Sequence, residues 1–404
     1  MAISTEGAES KPAVWSNRSV RLLFLLAAMS AHAQTPLIVI GLDGFRSDYA
    51  IRHSAPRIAG FVKQGASAAS LVPSFPSTTF PNFYTIATGL PPARHGIVEM
   101  DFHDPSGKRF YYRDAAAVAD PAWYGGTPIW LAAERAGIKA ATYFWPGSSV
   151  AIRGRKPSWS FVYDPKVTRD DKVRQTLAWL DLPPKERPGL VMLYFSDVDA
   201  AGHAHGPLAP QTKEAVAAVD RSAGDILDGL AKRKIAANVV FVSDHGMSAV
   251  QQSIDLTPLA DFSGFRISNG LGLVQLYSSD IALIDKTYAA LRGKSPMWTV
   301  YRRAEIPAHL QFSDNPRIGD LVILPNGPYM IAIKYEIPPL RGMHGYDPKR
   351  FREMDGILYA AGPAFRPGAY CGPVLNTTLY AMFARLLGLK NAPPPDPSWK
   401  GLLR

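Results

Sequence analysis

Three short polar clusters in this 404-residue chain have the composition of metal ligands. Asp199-Ala-Ala-Gly-His203 sets a carboxylate and an imidazole four residues apart, and Asp244-His245 sets the same pair side by side. Gly342-Met343-His344-Gly345 adds an imidazole on a glycine-flanked loop. With Asp43 the set reaches three carboxylates and three imidazoles, and it contains no thiolate. A mixed oxygen and nitrogen set of this kind suits Zn²⁺ and also accepts Mn²⁺ or Fe²⁺. Six ligands divide naturally into two sites of three, each with open positions for a substrate. Two dications about 3.5–4 Å apart can hold both the attacking and the leaving oxygen of an in-line displacement at phosphorus.

A nucleophile candidate lies in Pro76-Ser77-Thr78-Thr79-Phe80-Pro81-Asn82. The mostly apolar run 83–87 after it predicts a helix, which would place both threonines at the helix N-terminus. Helix N-termini attract anions through unpaired N–H groups and the dipole. A hydroxyl held there against a dication can ionise near neutral pH and attack phosphorus. The plainer alternative is that these threonines only cap the helix.

Such residues need elements that deliver them to one place. Three apolar runs lead into acidic residues: Leu37–Leu42 into Asp43, Leu190–Phe195 into Asp197 and Asp199, and Asn238–Ser243 into Asp244-His245. Continuous apolar runs of this length predict strands buried on both faces of a parallel sheet. Ligands of open α/β sheets sit beyond the carboxyl ends of the strands, where these acids fall. Helical periodicity over 212–232 and 127–136 supplies covering elements, and the sheet is expected to resume near 355–361. Residues 266–338 alternate short strand and helix patterns without acid-ended strands, and are read as an inserted α+β lid or subdomain. A last helix is expected over 377–387, stopped by Gly388, before a Pro-rich tail, 391–404, that should be extended.

Composition narrows the class. Charged residues make up 19% of the chain and apolar residues 47%, which excludes general disorder. The single Cys371 excludes an intrachain disulfide framework and a Cys-rich zinc module. The net charge of +10 is scattered, so there is no nucleic-acid footprint, although a cationic surface favours small anionic substrates. Arg18 and Arg21, the apolar stretch 22–29 and Ala31-His32-Ala33 form the pattern of a secretory signal peptide over 1–33. The apolar stretch is too short to span a bilayer, so no transmembrane helix is expected after cleavage. Export without disulfides favours a periplasmic location, or otherwise a secreted one.

The ordered motifs GLDGFR at 41–46, TTFPNFYTIATG at 78–89, HGI at 95–97 and FWPG at 144–147 match a known pattern. DVDAAGHAHGP at 197–207, SDHGM at 243–247 and HGYD at 344–347 complete it. The chain thereby resembles the nucleotide pyrophosphatase/phosphodiesterase family of the alkaline phosphatase superfamily, in its bacterial form, from Leu37 to about Leu387. The resemblance implies an alkaline-phosphatase-like α/β fold, with a mainly parallel central sheet and helices on both faces. It also implies a catalytic domain over 34–404 and a two-zinc site. One zinc would take Asp43, Asp244 and His245 with the Thr79 oxygen, and the other Asp199, His203 and His344. Thr79, directly before Phe-Pro-Asn, would be the nucleophile that forms a covalent phosphothreonine. The expected substrate is a nucleotide phosphodiester or pyrophosphate, with Phe80 and Tyr163 in the places where the family stacks a nucleobase.

One position departs from the family. Met100 stands where the family carries an asparagine whose amide donates to a phosphate oxygen, and methionine cannot donate. Asp101 and Lys108 are the nearest groups that could substitute. Met100 therefore keeps alternatives open: a phosphomonoesterase, a phosphonate or phospholipid-headgroup hydrolase on the same metals, or a non-catalytic relative. His205 follows His203 by two residues, and an extended segment would point the two to opposite sides. His95 and His103 are read as structural residues or as groups that support the ligands, not as ligands themselves.

Overall fold

The computed structural model describes residues 35–335 and 340–404. The predicted signal segment 1–33 lies outside the described residues, as do the last three residues of the 266–338 segment. Among the described residues no helix is long and apolar enough to cross a membrane.

The apolar runs form the centre of an eight-stranded sheet. In chain order its strands are β1 (Leu37–Leu42), β2 (Ala66–Ala68), β3 (Ala140–Tyr143), β4 (Trp159–Phe161), β5 (Leu190–Phe195), β6 (Asn238–Val242), β7 (Leu358–Ala361) and β8 (Tyr370–Cys371). Their spatial order is β8-β2-β7-β6-β1-β5-β3-β4. The sheet is mainly parallel, with β7 running antiparallel to both β6 and β2. β1 lies between β5 and β6, with Leu42 opposite Phe195 and Gly41 opposite Val242. That register brings the carboxyl ends of three strands level, so the acids that follow them become neighbours. β1 and β5 are buried at every position, which is why both read as unbroken apolar runs.

Helices Pro56–Gln64, Arg169–Asp181 and Pro210–Lys232 pack together, and Thr79–Thr88, Ile129–Arg135 and Leu379–Leu386 form a second group. Gly41 is required in β1 because a Cβ there would come within 2.6 Å of the Phe83 ring. The Thr79 helix therefore packs directly on the central strand.

A separate four-stranded antiparallel sheet is built from Arg266–Asn269, Val274–Tyr277, Leu321–Pro325 and Trp298–Arg302, in that spatial order. With helix Ile281–Leu291 it encloses its own core, including Leu276, Leu291 and Ile323.

Two local expectations fail. The segment Asp197–His205 is a helix, not an extended strand exit. Asp199 and His203 therefore share a face as an i, i+4 pair, and His205 is exposed because two residues turn a helix by about 200°. The tail is not simply extended either. Helix Pro397–Lys400 buries Trp399, whose indole N–H donates to Thr378 Oγ1 at 3.0 Å.

Candidate active site

The strand register and the Thr79 helix meet in one polar centre. Asp43 leaves β1, Asp244 and His245 leave β6, and Asp199 and His203 sit on the helix after β5. His344 enters from a loop beyond strand Gly342–Met343, which pairs with Ser248–Ala249. The ligand atoms of Asp43, Asp244 and His245 lie within 4.8 Å of one another, and so do those of Asp199, His203 and His344. The stacked rings of His245 and His344, 3.7 Å between centroids, join the two trios.

Each imidazole is aimed by a backbone carbonyl. His203 Nδ1 lies 2.9 Å from the Gly342 oxygen, His245 Nδ1 2.8 Å from that of Gly246, and His344 Nδ1 2.9 Å from that of Ser77. An N–H donated from Nδ1 leaves Nε2 as the free base, the arrangement that orients metal-ligating histidines. The Nε2 atoms of His203 and His344 stand 3.1 Å apart, and each is 3.4 Å from Asp199 Oδ1. His245 Nε2 is 3.0 Å from Asp244 Oδ2 and 3.5 Å from Asp43 Oδ1.

The charges in this centre are unbalanced. Asp43 and Asp244 are buried, and Asp199 Oδ1 and Asp244 Oδ2 are buried atoms without a hydrogen-bond partner among the described residues. Burial pushes the Asp43 carboxyl well above its usual range, and the charges of Asp244 and Asp199 push the same way. Burial also raises Asp244. It lowers His344 well below the usual imidazole value, with His245 and His203 adding to the effect. Dications would neutralise the carboxylates and use the lone pairs of neutral imidazoles, so the donor set fits two metal ions.

The structure separates the two threonines. Thr78 is the N-cap residue of the Thr79–Thr88 helix, but its side chain makes no capping bond. Thr79 occupies the first turn, and its hydroxyl lies 3.3 Å from His245 Nε2 and 3.5 Å from Asp43 Oδ1. Asn82 braces the turn by donating to the Pro76 and Thr78 carbonyls, both at 2.8 Å.

The Phe80 N–H, another donor of this first turn, is taken by Met100 Sδ at 3.2 Å. The suggested substitutes for a phosphate donor are engaged elsewhere. Asp101 forms a two-bond pair with Arg109, and Lys108 pairs with Asp120. Phe80 packs edge-on against Phe110, whereas Tyr163 is half-exposed over Phe144 and Tyr194. Tyr163 also lines an open cavity of about 460 Å³ with Lys172 and Asp197. His95 is structural: its Nε2 lies 3.0 Å from Thr85 Oγ1 and 3.1 Å from the Pro81 carbonyl.

Two residues in the centre escaped the sequence reading. Tyr194 donates its hydroxyl to Asp43 Oδ2 at 2.5 Å, yet in the sequence it is one more apolar-run aromatic. Glu99 is wholly buried beside Thr78, with Oε1 accepting the Met100 N–H at 2.8 Å and Oε2 unpartnered among the described residues. Burial pushes its pKa up to about 7. Its one sequence signal is an acid inside an otherwise apolar stretch.

Residues 37–347 match the family model described as type I phosphodiesterase/nucleotide pyrophosphatase. The uncharacterized pyrophosphatase/phosphodiesterase of Schizosaccharomyces pombe is 35% identical over 394 residues, 92% of this chain and 80% of that protein. Venom phosphodiesterase CdcPDE of Crotalus durissus collilineatus is 32% identical over 89% of this chain, which spans only 45% of the venom protein. The solved structure of murine ectonucleotide pyrophosphatase/phosphodiesterase 5 superposes with a TM-score of 0.86 at 30% identity, covering 92% of this chain and all of that one. Sequence and fold agree over the strands and loops that carry the polar centre, and the chain belongs to the type I phosphodiesterase/nucleotide pyrophosphatase family of hydrolases, within the alkaline phosphatase superfamily.

Proposed function

We propose that this chain is an exported two-zinc phosphodiesterase that cleaves nucleotide phosphodiester or pyrophosphate bonds through a phosphothreonine. The carrying observation is the approach of the Thr79 hydroxyl to both Asp43 and His245. Asp43, Asp244 and His245 with the Thr79 oxygen would hold one zinc, and Asp199, His203 and His344 the other. When bound, the ions supply positive charge to the phosphoryl oxygens and lower the pKa of the hydroxyl and of the attacking water. Thr79 Oγ1 attacks phosphorus as the bond to the leaving oxygen breaks. Water then cleaves the phosphothreonine and restores the hydroxyl. Phe80 and Tyr163 would flank the nucleobase, since aromatic faces stack on any base.

The relatives support this reading. An inactive threonine-to-alanine variant of the murine relative was solved in complex with AMP. The venom and ectonucleotide names of other relatives accord with export, to the periplasm or beyond. A dianionic monoester would ask for more donors, and Met100 offers none. Purified, zinc-loaded protein is expected to hydrolyse a nitrophenyl nucleotide diester faster than nitrophenyl phosphate, and chelator should abolish the difference. Faster monoester turnover would overturn the diesterase reading.

Replacing Tyr194 by Phe should lower diester turnover about 10–100-fold, because a hydrogen bond to a charged group contributes about 1.5–3 kcal/mol. Circular dichroism should show the fold intact. Unchanged turnover would deny Tyr194 a share in setting Asp43.

A further inference from the structure

The four-stranded sheet approaches the His344 loop at the tip of the hairpin joining Arg266–Asn269 to Val274–Tyr277. The tip, Gly270-Leu271-Gly272, is tightly wound. The Gly270 N–H donates to the Leu273 carbonyl at 2.9 Å and the Gly272 N–H to the Gly270 carbonyl at 2.7 Å. Leu271 takes the left-handed conformation, φ +62, and its carbonyl accepts the Ile331 N–H at 2.9 Å. Asn269 locks the base of the tip, accepting from Ile333 N–H at 3.0 Å and donating to its carbonyl at 2.9 Å.

Gly272 is demanded by what it touches, and Gly270 is closely packed. A Cβ on Gly272 would stand 2.2 Å from the His344 carbonyl oxygen and 3.2 Å from Gly345 Cα. A Cβ on Gly270 would stand 3.2 Å from both Cδ and Oε2 of Glu99. On its other side Gly345 faces Thr78, where a Cβ would meet the threonine methyl at 3.3 Å, and its N–H donates to Ser77 Oγ at 3.2 Å. The His344-Gly345 backbone is thus held between the hairpin tip and the turn that carries Thr79.

We infer that the hairpin tip 269–273 is a positioning element for His344: by backbone contact at Gly272 it sets the loop that delivers this imidazole, and so the geometry of the Asp199/His203/His344 site. The role of the four-stranded sheet is then to buttress a ligand loop across the chain, with Gly272 as the point of contact. Glu99, whose carboxyl abuts Gly270, fixes the tip from the opposite side. The inference rests on the two-metal reading for its effect on zinc, while its effect on the loop stands without metal.

The test compares three variants of the full chain with wild type. Gly272→Ala pushes on the His344 carbonyl, Asn269→Ala loosens the tip without adding bulk, and Leu321→Ala weakens the same sheet from its buried core at the end away from the tip, where Leu321 pairs with Leu276. Zinc stoichiometry and affinity are read in metal buffers, and backbone hydrogen exchange over 342–347 is read on metal-free protein. Gly272→Ala should weaken one of the two zinc sites about 10–100-fold, the usual effect of losing a group that orients a ligand, and leave the other unchanged. Exchange over 342–347 should rise in parallel. Asn269→Ala should shift both readouts in the same direction by less, and keeps the test available if the alanine at 272 prevents folding. Leu321→Ala should lower the melting temperature without moving either readout. Wild-type exchange and zinc affinity in both tip variants would overturn the inference, as would equal shifts in Leu321→Ala. Wild-type protein that binds no zinc would sink the two-metal reading, and exchange over 342–347 would then decide this inference alone.

Discussion

Thr79→Ala should abolish diester hydrolysis, with a fall in turnover of roughly 10⁴–10⁶, the scale seen when a covalent nucleophile is removed and binding is left. The Thr79 hydroxyl is the one that approaches Asp43 and His245, and alanine keeps the helix while deleting the attacking oxygen. Thr78→Ala is the control. Thr78 makes no capping bond, so its loss should change the rate only a few-fold. Acid quench of the wild type during turnover, followed by peptide mass spectrometry, should place a phosphoryl group on Thr79 and on no other hydroxyl. Retained turnover in Thr79→Ala, or phosphate on a different residue, would defeat the phosphothreonine mechanism.

Met100→Asn should raise diester kcat/KM. Removing one preorganised donor from an oxyanion site typically costs about 10²–10³ in rate, so supplying one should recover a comparable factor. The thioether now covers the Phe80 N–H, a donor in the first turn of the Thr79 helix. A thioether is also a weak acceptor. Asparagine would uncover that N–H and bring a second donor beside it. Met100→Leu separates the two effects, because it removes the acceptor without adding an amide. Its rate should lie between wild type and Met100→Asn. A rate unchanged or lowered in Met100→Asn would mean that the phosphoryl group does not face this side of the pocket.

How much of this was legible beforehand depends on the range of the interaction. Strands β1, β5 and β6 were readable because burial on both faces leaves an unbroken apolar run, a purely local signature. The acids at their ends were readable because a parallel sheet gathers carboxyl ends on one edge. Asp199 and His203 are legible as a pair at i, i+4, although the helix that makes that spacing meaningful carries no clear local pattern of its own. The tail departs from an extended path because proline content says nothing of a Trp399 that finds a buried slot against Thr378.

By itself, then, the sequence determined the strands, the acidic edge, the ligand candidates and the family that the ordered motifs mark. Only the tertiary structure decided that Tyr194 serves Asp43 and that Met100 occupies the Phe80 N–H. It also decided that Gly272 leans on the His344 carbonyl. The reason is physical. Helix and strand patterns reflect neighbours a few residues away, whereas these contacts, with that of Thr79 to His245, join residues 20 to 166 positions apart and depend on strand register and loop path. Several are made through the backbone or through space that a missing Cβ leaves open, and such contacts carry no residue pattern of their own.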